Sequence, residues 1–197
     1  MTLEPHIDKV VKDCFFHLNQ ISSVRKNLTT DAAKILVQAY VISRLDYCNS
    51  LFIGLPKYLL MKLQSVQNAA ARVVSGAYKY HHITPILYSL HWLKIPQRIQ
   101  YKISLITFKA LHGTAPSYIR ELLAPVDELR QTRQLRSSNQ KLLSIKKTNT
   151  KNHGERAYCN AAPPIWNSLP FNLRNIDNVS SFKSRLKTHL FKLCYEN

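Results

Sequence analysis

PKYLLMKLQSVQNAAARVVSG, residues 56–76, lies between a proline and a glycine and carries Leu59, Leu63, Val66, Ala70 and Val73 at steps of three and four. Such steps gather apolar side chains on one stripe of an α-helix, whereas a strand would send alternate residues to opposite faces. Proline suits a helix start, and Gly76 ends or loosens the helix. Arg72 and Lys79 superimpose on another side of the same helix, about two turns apart.

The same reading extends outward. On the N-terminal side, Ile7, Val10, Val11, Cys14, Phe15, Leu18 and Ile21 trace a helical face from Pro5 to about Arg25. Thr29, Thr30 and Asp31 offer caps for a second helix bearing Ala32, Ile35, Leu36, Ala39, Tyr40 and Ile42, and the two pair as a hairpin. On the C-terminal side, Pro85 begins a short helical piece, and Leu90 to Leu93 form an apolar clasp around Trp92. From Arg98 to Leu111 the spacing groups Ile99, Ile103, Ile106 and Ala110. Arg98, Lys102 and Lys109 fall within a narrow arc flanked by Tyr101 and Phe108.

After Gly113 the text becomes a connector with Pro116 and Pro125, an extended piece over Leu142 to Ile145, and a basic loop holding Lys146, Lys147 and Lys151. A helix from about Glu155 is expected to stop at Ala161, because Pro163 and Pro164 follow. Asn178, Ser180 or Ser181 caps a last helix that buries Phe182, Leu186, Leu190 and Leu193 and turns Lys187 and Lys192 outward. The expected fold is mainly α: a helical bundle over residues 1–113, a connector with the basic loop over 114–153, and a small helical C-terminal segment over 154–197.

Charge is unevenly spread. The net charge is +17, and residues 47–120 hold nine Lys/Arg and not one Asp or Glu. Segregated positive charge attracts polyanions and releases their counterions on contact, as nucleic-acid binding requires. Cations beside aromatic rings suit phosphates and unpaired bases, although aromatic residues at helical spacing are more often core. Candidate contacts are Arg72, Lys79, Arg98, Lys102, Lys109, Lys146, Lys147 and Lys151.

The same composition argues against catalysis within the chain. Metal-dependent phosphoryl transfer needs carboxylates converging on paired metals, and the eleven acids are scattered. No phosphate-binding glycine loop or GxSxG turn is present. Cys14, Cys48, Cys159 and Cys194 form no CxxC pair, so buried reduced thiols are expected. His189 and Cys194 match only the closing half of a zinc knuckle. No catalytic or metal-binding residue is assigned. No apolar run is long enough for a membrane span, and Glu4 and Asp8 open the chain where a secretory signal would be basic and apolar, so an intracellular protein of nucleus or cytoplasm is expected.

Several strings, in order, carry a resemblance. They are Ser43-Arg44-Leu45-Asp46-Tyr47-Cys48-Asn49-Ser50-Leu51, Gly54-Leu55-Pro56, Leu63 through Arg72, His82-Ile83-Thr84-Pro85, Leu90-His91-Trp92-Leu93 and Phe108-Lys109-Ala110-Leu111-His112-Gly113. Leu135-Arg136-Ser137-Ser138, Gly154-Glu155-Arg156-Ala157, Trp166-Asn167-Ser168-Leu169-Pro170 and Leu186 through Phe191 continue the order. Together they resemble the region downstream of the polymerase core in non-LTR, LINE-type retrotransposon reverse transcriptases.

The resemblance implies that residues 1–113 are like the thumb that grips template and primer backbone, and that residues after Gly154 are like the C-terminal segment. It implies RNA or DNA, and an upstream polymerase domain in a full-length protein, as partners. Magnesium would belong to a palm whose aspartates precede Met1, so no cofactor and no enzyme activity are expected of this chain alone. Lys94 stands where relatives often place proline, with Pro96 following. Asp46 is expected to bond backbone at a helix end or pair with Arg44 or Arg72. Two other readings remain: a basic helical module for an acidic protein, and a decayed element product without function.

Overall fold

Apolar stripes decide where the helices lie. In the computed structural model, which describes residues 3–126, 140–146 and 154–196, the chain is mainly helical. It divides into two compact units, Met1–Arg98 with Phe191–Asn197, and Ile99–Leu190. The composition break expected after Gly113 is therefore not where the units divide.

In the first unit, helix α1 (Glu4–Val24) takes Pro5 into its first turn, where a missing N–H removes no helical bond. It buries Ile7, Cys14, Leu18 and Ile21, while Phe15 faces water. Thr29 caps α2 (Thr30–Val37), its hydroxyl accepting the Ala32 N–H at 3.2 Å. A π-helical turn, Gln38–Ile42, leads into α3 (Ser43–Asp46). Buried Ala33, Val37, Val41 and Leu45 recur at steps of four, which drift about 40° per step around an ideal α-helix. One wide turn returns them to a common face, and this face packs against α1 as the expected hairpin.

Helix α4 (Lys57–Ser75) packs on α1 and α2. Its buried face is broader than the five-residue stripe: Gln67, Ala71 and Val74 join Leu59, Leu63, Val66 and Ala70, and Val73 is only half-buried. Gly76, at φ +69°, ends the helix and lets the Ala77 N–H reach the Arg72 carbonyl at 3.2 Å. Arg25 donates from Nε to the Val73 carbonyl at 2.7 Å and from Nη2 to that of Val74 at 2.9 Å. A guanidinium thus satisfies two of the carbonyls that every helix end leaves open.

Helix α5 (Ile83–Ser89) has Pro85 near its start, as expected, and buries Leu87. His91, at φ +53°, turns the chain so that Trp92 and Leu93 are buried. The Tyr195 hydroxyl donates to the Trp92 carbonyl at 2.6 Å, and burial raises its phenol pKa above the ordinary value. Lys94 donates to the Cys194 carbonyl at 3.4 Å and lies 5.1 Å from the centre of the Tyr195 ring.

The second unit takes in α6 (Ile95–Leu111) from Ile99 onward. Ile99, Ile103, Phe108 and Ala110 are buried, and Ile106 is half-buried. A short helix, α7 (Ser117–Glu121), lies within the connector. Leu142 to Ile145 runs extended, joined to the chain at Pro125 by an isolated antiparallel bridge through Leu143. Helix α8 spans Tyr158–Asn167 and holds Pro163 and Pro164 inside it, which overturns the stop expected at Ala161. Two prolines remove two backbone donors. The helix is held by contacts distant in sequence: Tyr158 and Thr107 share a hydrogen bond of 2.9 Å, the Trp166 indole donates to the Lys141 carbonyl at 2.8 Å, and the Asn167 amide bonds both polar backbone groups of Leu143.

After α9 (Phe171–Arg174), Asn178 caps α10 (Val179–Tyr195), its side chain accepting the Ser180 and Ser181 N–H groups at 2.8 and 3.2 Å. Helix α10 buries Phe182, Leu186 and Leu190, whereas Leu193, expected in that face, is exposed. Phe182 stacks on Phe108 at 4.1 Å between ring centres, with Trp166 at 6.0 Å. These rings centre the second unit's core.

Candidate nucleic-acid interface

Cations stand exposed both on helix faces and in the loops between helices. Because α4 stops at Gly76, Lys79 does not continue the Arg72 stripe; it lies exposed in the loop that joins α4 to α5. Arg72 reaches the same loop from the last turn of α4, its Nη2 donating to the His81 carbonyl at 3.4 Å. The structure therefore brings these two candidates together through the loop rather than along a helix.

Arg98 has a different place. Its Nη1 donates to Asp46 Oδ2 at 2.7 Å and its Nε to the Leu93 carbonyl at 3.0 Å, and only 14% of its side chain is exposed. Asp46 was expected to bond backbone at a helix end or to pair with Arg44 or Arg72; Arg98 is its ion-pair partner, and Arg44 stands 4.0 Å from Asp13. Leu93 O also accepts from the Nε2 of Gln67 at 2.8 Å, Gln67 accepts from Gln64 at 2.9 Å, and Gln64 accepts the Ile95 N–H at 2.9 Å. Gln67 is fully buried, so this chain of bonds is part of the first unit's core, and Arg98 belongs to it.

In the second unit, Lys102 is exposed on α6 and Lys109 is half-buried near its end. Of the aromatics expected beside them, Phe108 is fully buried between His112, at 4.0 Å, and Phe182, and offers no face to a ligand. Tyr101 is half-buried, and burial raises its phenol pKa. Lys146 is exposed at the end of the extended piece. Lys147 and Lys151 lie outside the described residues, as does the string Leu135 through Ser138.

The thiols depart from expectation. Cys14 is buried, and burial pushes its pKa up to about 11. Cys48 is exposed at φ +51°, and Cys159 and Cys194 are half-buried; all four are free. Burial lowers the pKa of half-buried His189. Among the described residues no cluster of three His, Cys, Asp or Glu side chains could hold a metal, and no helix is long and apolar enough to cross a membrane.

Two side chains that the helical reading missed are the most exposed large aromatics described: Tyr78 at 77% and Tyr80 at 91%. Their signal was available in residues 77–82, Ala-Tyr-Lys-Tyr-His-His, where rings alternate with a cation immediately after a helix-stopping glycine. Compared with protein-family models, characterised proteins and solved structures, the chain matches none.

Proposed function

We propose that this chain is a non-catalytic, nucleic-acid-binding part of a non-LTR retrotransposon reverse transcriptase, holding the sugar-phosphate backbone of template or primer in the manner of a thumb. The observation that carries this reading is the acid-free window of residues 47–120, within which Lys79 and Lys102 are open to solvent and form no ion pair among the described residues. Unneutralised cations on a folded surface answer phosphate, and the ordered strings of the sequence supply the link to the polymerase family. Lys109 and Lys146 extend the set. Arg98 contributes to stability instead.

Backbone binding of this kind weakens with salt, because each neutralised phosphate releases condensed counterions. Fluorescence anisotropy with a labelled primer–template is expected to show at least about tenfold weaker binding at 200 mM than at 50 mM salt. Affinity that stays flat across that range removes the proposal. Heparin competes with any basic surface, so the discriminating competitor is an unlabelled primer–template duplex. Displacement by polyglutamate and not by the duplex would assign the surface to an acidic protein. The polymerase link is tested by reading the transcript upstream of Met1 in frame for a palm with its Asp-Asp pair.

A further inference from the structure

The geometry points to the Tyr78–His82 loop as a stacking site for unpaired nucleobases, so that this chain grips single-stranded RNA or DNA there. The inference rests on the nucleic-acid reading above and adds the form of strand that the first unit takes.

The loop is short and pinned at both ends. Gly76 closes α4, the His81 N–H bonds the Tyr78 carbonyl at 3.1 Å, Arg72 holds the His81 carbonyl, and His82 starts α5. The two rings are thus presented from a fixed turn. Tyr78 and His81 meet at nearly right angles, 5.7 Å between ring centres, and Tyr80 has nine-tenths of its surface in water. Two large rings held in water beside Lys79 and Arg72 combine a π-face with a phosphate partner, which is how non-specific single-strand sites are built.

Arg72 adds an independent observation. Its Nε is buried, but its Nη2 lies at an exposed position and makes only a long bond of 3.4 Å, to the His81 carbonyl. That end of the guanidinium, in a stretch of sequence with no carboxylate from residue 47 to residue 120, retains its capacity for an incoming anion. Alternative occupants fit less well. Between Gly76 and Ile83 there is no aliphatic side chain larger than alanine, so the loop lacks the apolar anchors by which an amphipathic segment enters a membrane. In a duplex, bases are already stacked on one another and present edges and phosphates, not faces. Unpaired bases use both the rings and the cations.

The test uses the full chain and three labelled probes of equal length: oligo(U), oligo(dT) and a blunt DNA duplex. Replacing both rings, as Tyr78→Ala with Tyr80→Ala, is expected to weaken oligo(U) and oligo(dT) binding by about tenfold or more. Duplex affinity and the salt slope stay unchanged. Tyr78→Phe with Tyr80→Phe retains single-strand binding, because the π-face is kept. Both tyrosines are exposed, so the melting temperature is expected to stay constant, and it is measured alongside. Equal losses on single strand and duplex, or no loss on either, overturn the stacking site while leaving the backbone reading intact. A wild-type chain that binds no probe overturns both.

Discussion

Arg98→Ala separates the two meanings that positive charge has in this chain. The substitution removes the 2.7 Å bond to Asp46 and the 3.0 Å bond to the Leu93 carbonyl, together with the packing of the side-chain stem. Breaking a fully buried ion pair costs about 3–5 kcal/mol, because the remaining charge is stranded. Asp46 is not stranded: 38% of its side chain is exposed, and the Asn49 amide still donates to it at 3.3 Å. Leu93 O keeps its bond from Gln67. What is lost is one charge-assisted bond to a partly exposed carboxylate, one guanidinium bond to a carbonyl that keeps another donor, and some packing, about 2 kcal/mol in all. For a chain of this length that lowers the melting temperature by roughly 6 °C.

The assay is a thermal melt followed by circular dichroism, run beside a salt titration of oligonucleotide binding, with Lys102→Ala as the counterpart. Lys102 is exposed, so its replacement should leave the melt within about 0.5 kcal/mol and reduce the salt slope by about one ion. Arg98→Ala should do the reverse. A double-mutant cycle with Asp46→Asn should return a coupling of about 1–2 kcal/mol. If Arg98→Ala melts like the wild type and flattens the salt dependence, the guanidinium serves phosphate, and the assignment of Arg98 to the core is refuted.

Gly76→Ala should cost about 1 kcal/mol from backbone strain alone, because φ is +69° and nothing lies within 4 Å of an added Cβ; urea denaturation checks it, and Gly76→Asn should cost less. Thiol titration with an aromatic disulfide at neutral pH should modify exposed Cys48 quickly and buried Cys14 only on unfolding. The Cys14 pKa is raised in the folded chain from 9.0 to about 11, so its contribution to stability is complete below pH 9 and is lost as pH rises toward 11. The loss is about 2–3 kcal/mol at most. The difference between wild type and Cys14→Ala across that range measures it, and an identical alkaline profile for both would remove the assignment.

How much of this was legible in the sequence depends on whether a feature is local. The stripe of residues 56–76, the Thr29 cap and the glycine stop all follow from neighbours within a turn or two, and the helices stand where the spacing puts them. Helix α8 does not, because the bonds that hold it through Pro163 and Pro164 come from Thr107, Lys141 and Leu143, and no local rule registers partners so far away. Leu193 failed for the complementary reason: its place on the stripe is correct, but at the end of α10 the buried face no longer extends to it. For Arg98, sequence shows the charge and hides the partner, which is 52 residues distant.

The polar chain that joins Asp46, Arg98, Leu93, Gln67, Gln64 and Ile95 bears on what the ordered strings mean. Asp46 lies in the first string, Gln64 and Gln67 in the Leu63–Arg72 string, and Leu93 in the tryptophan clasp. These strings interlock through hydrogen bonds that are buried at Gln67 and part-buried elsewhere, so each is constrained by the others, and losing Gln67 leaves unsatisfied groups in its partners. Tyr78 to His81 fall between two strings and make no bond to this polar network; Arg72, at the end of the Leu63–Arg72 string, meets the loop through a 3.4 Å bond to the His81 carbonyl. A sequence can therefore alter the loop, and with it the strand it grips, without disturbing the core that the strings specify. It follows that exchanging residues 78–80 for alanines should change binding and leave the melt of the first unit intact, whereas exchanging Gln67 for alanine should do the opposite.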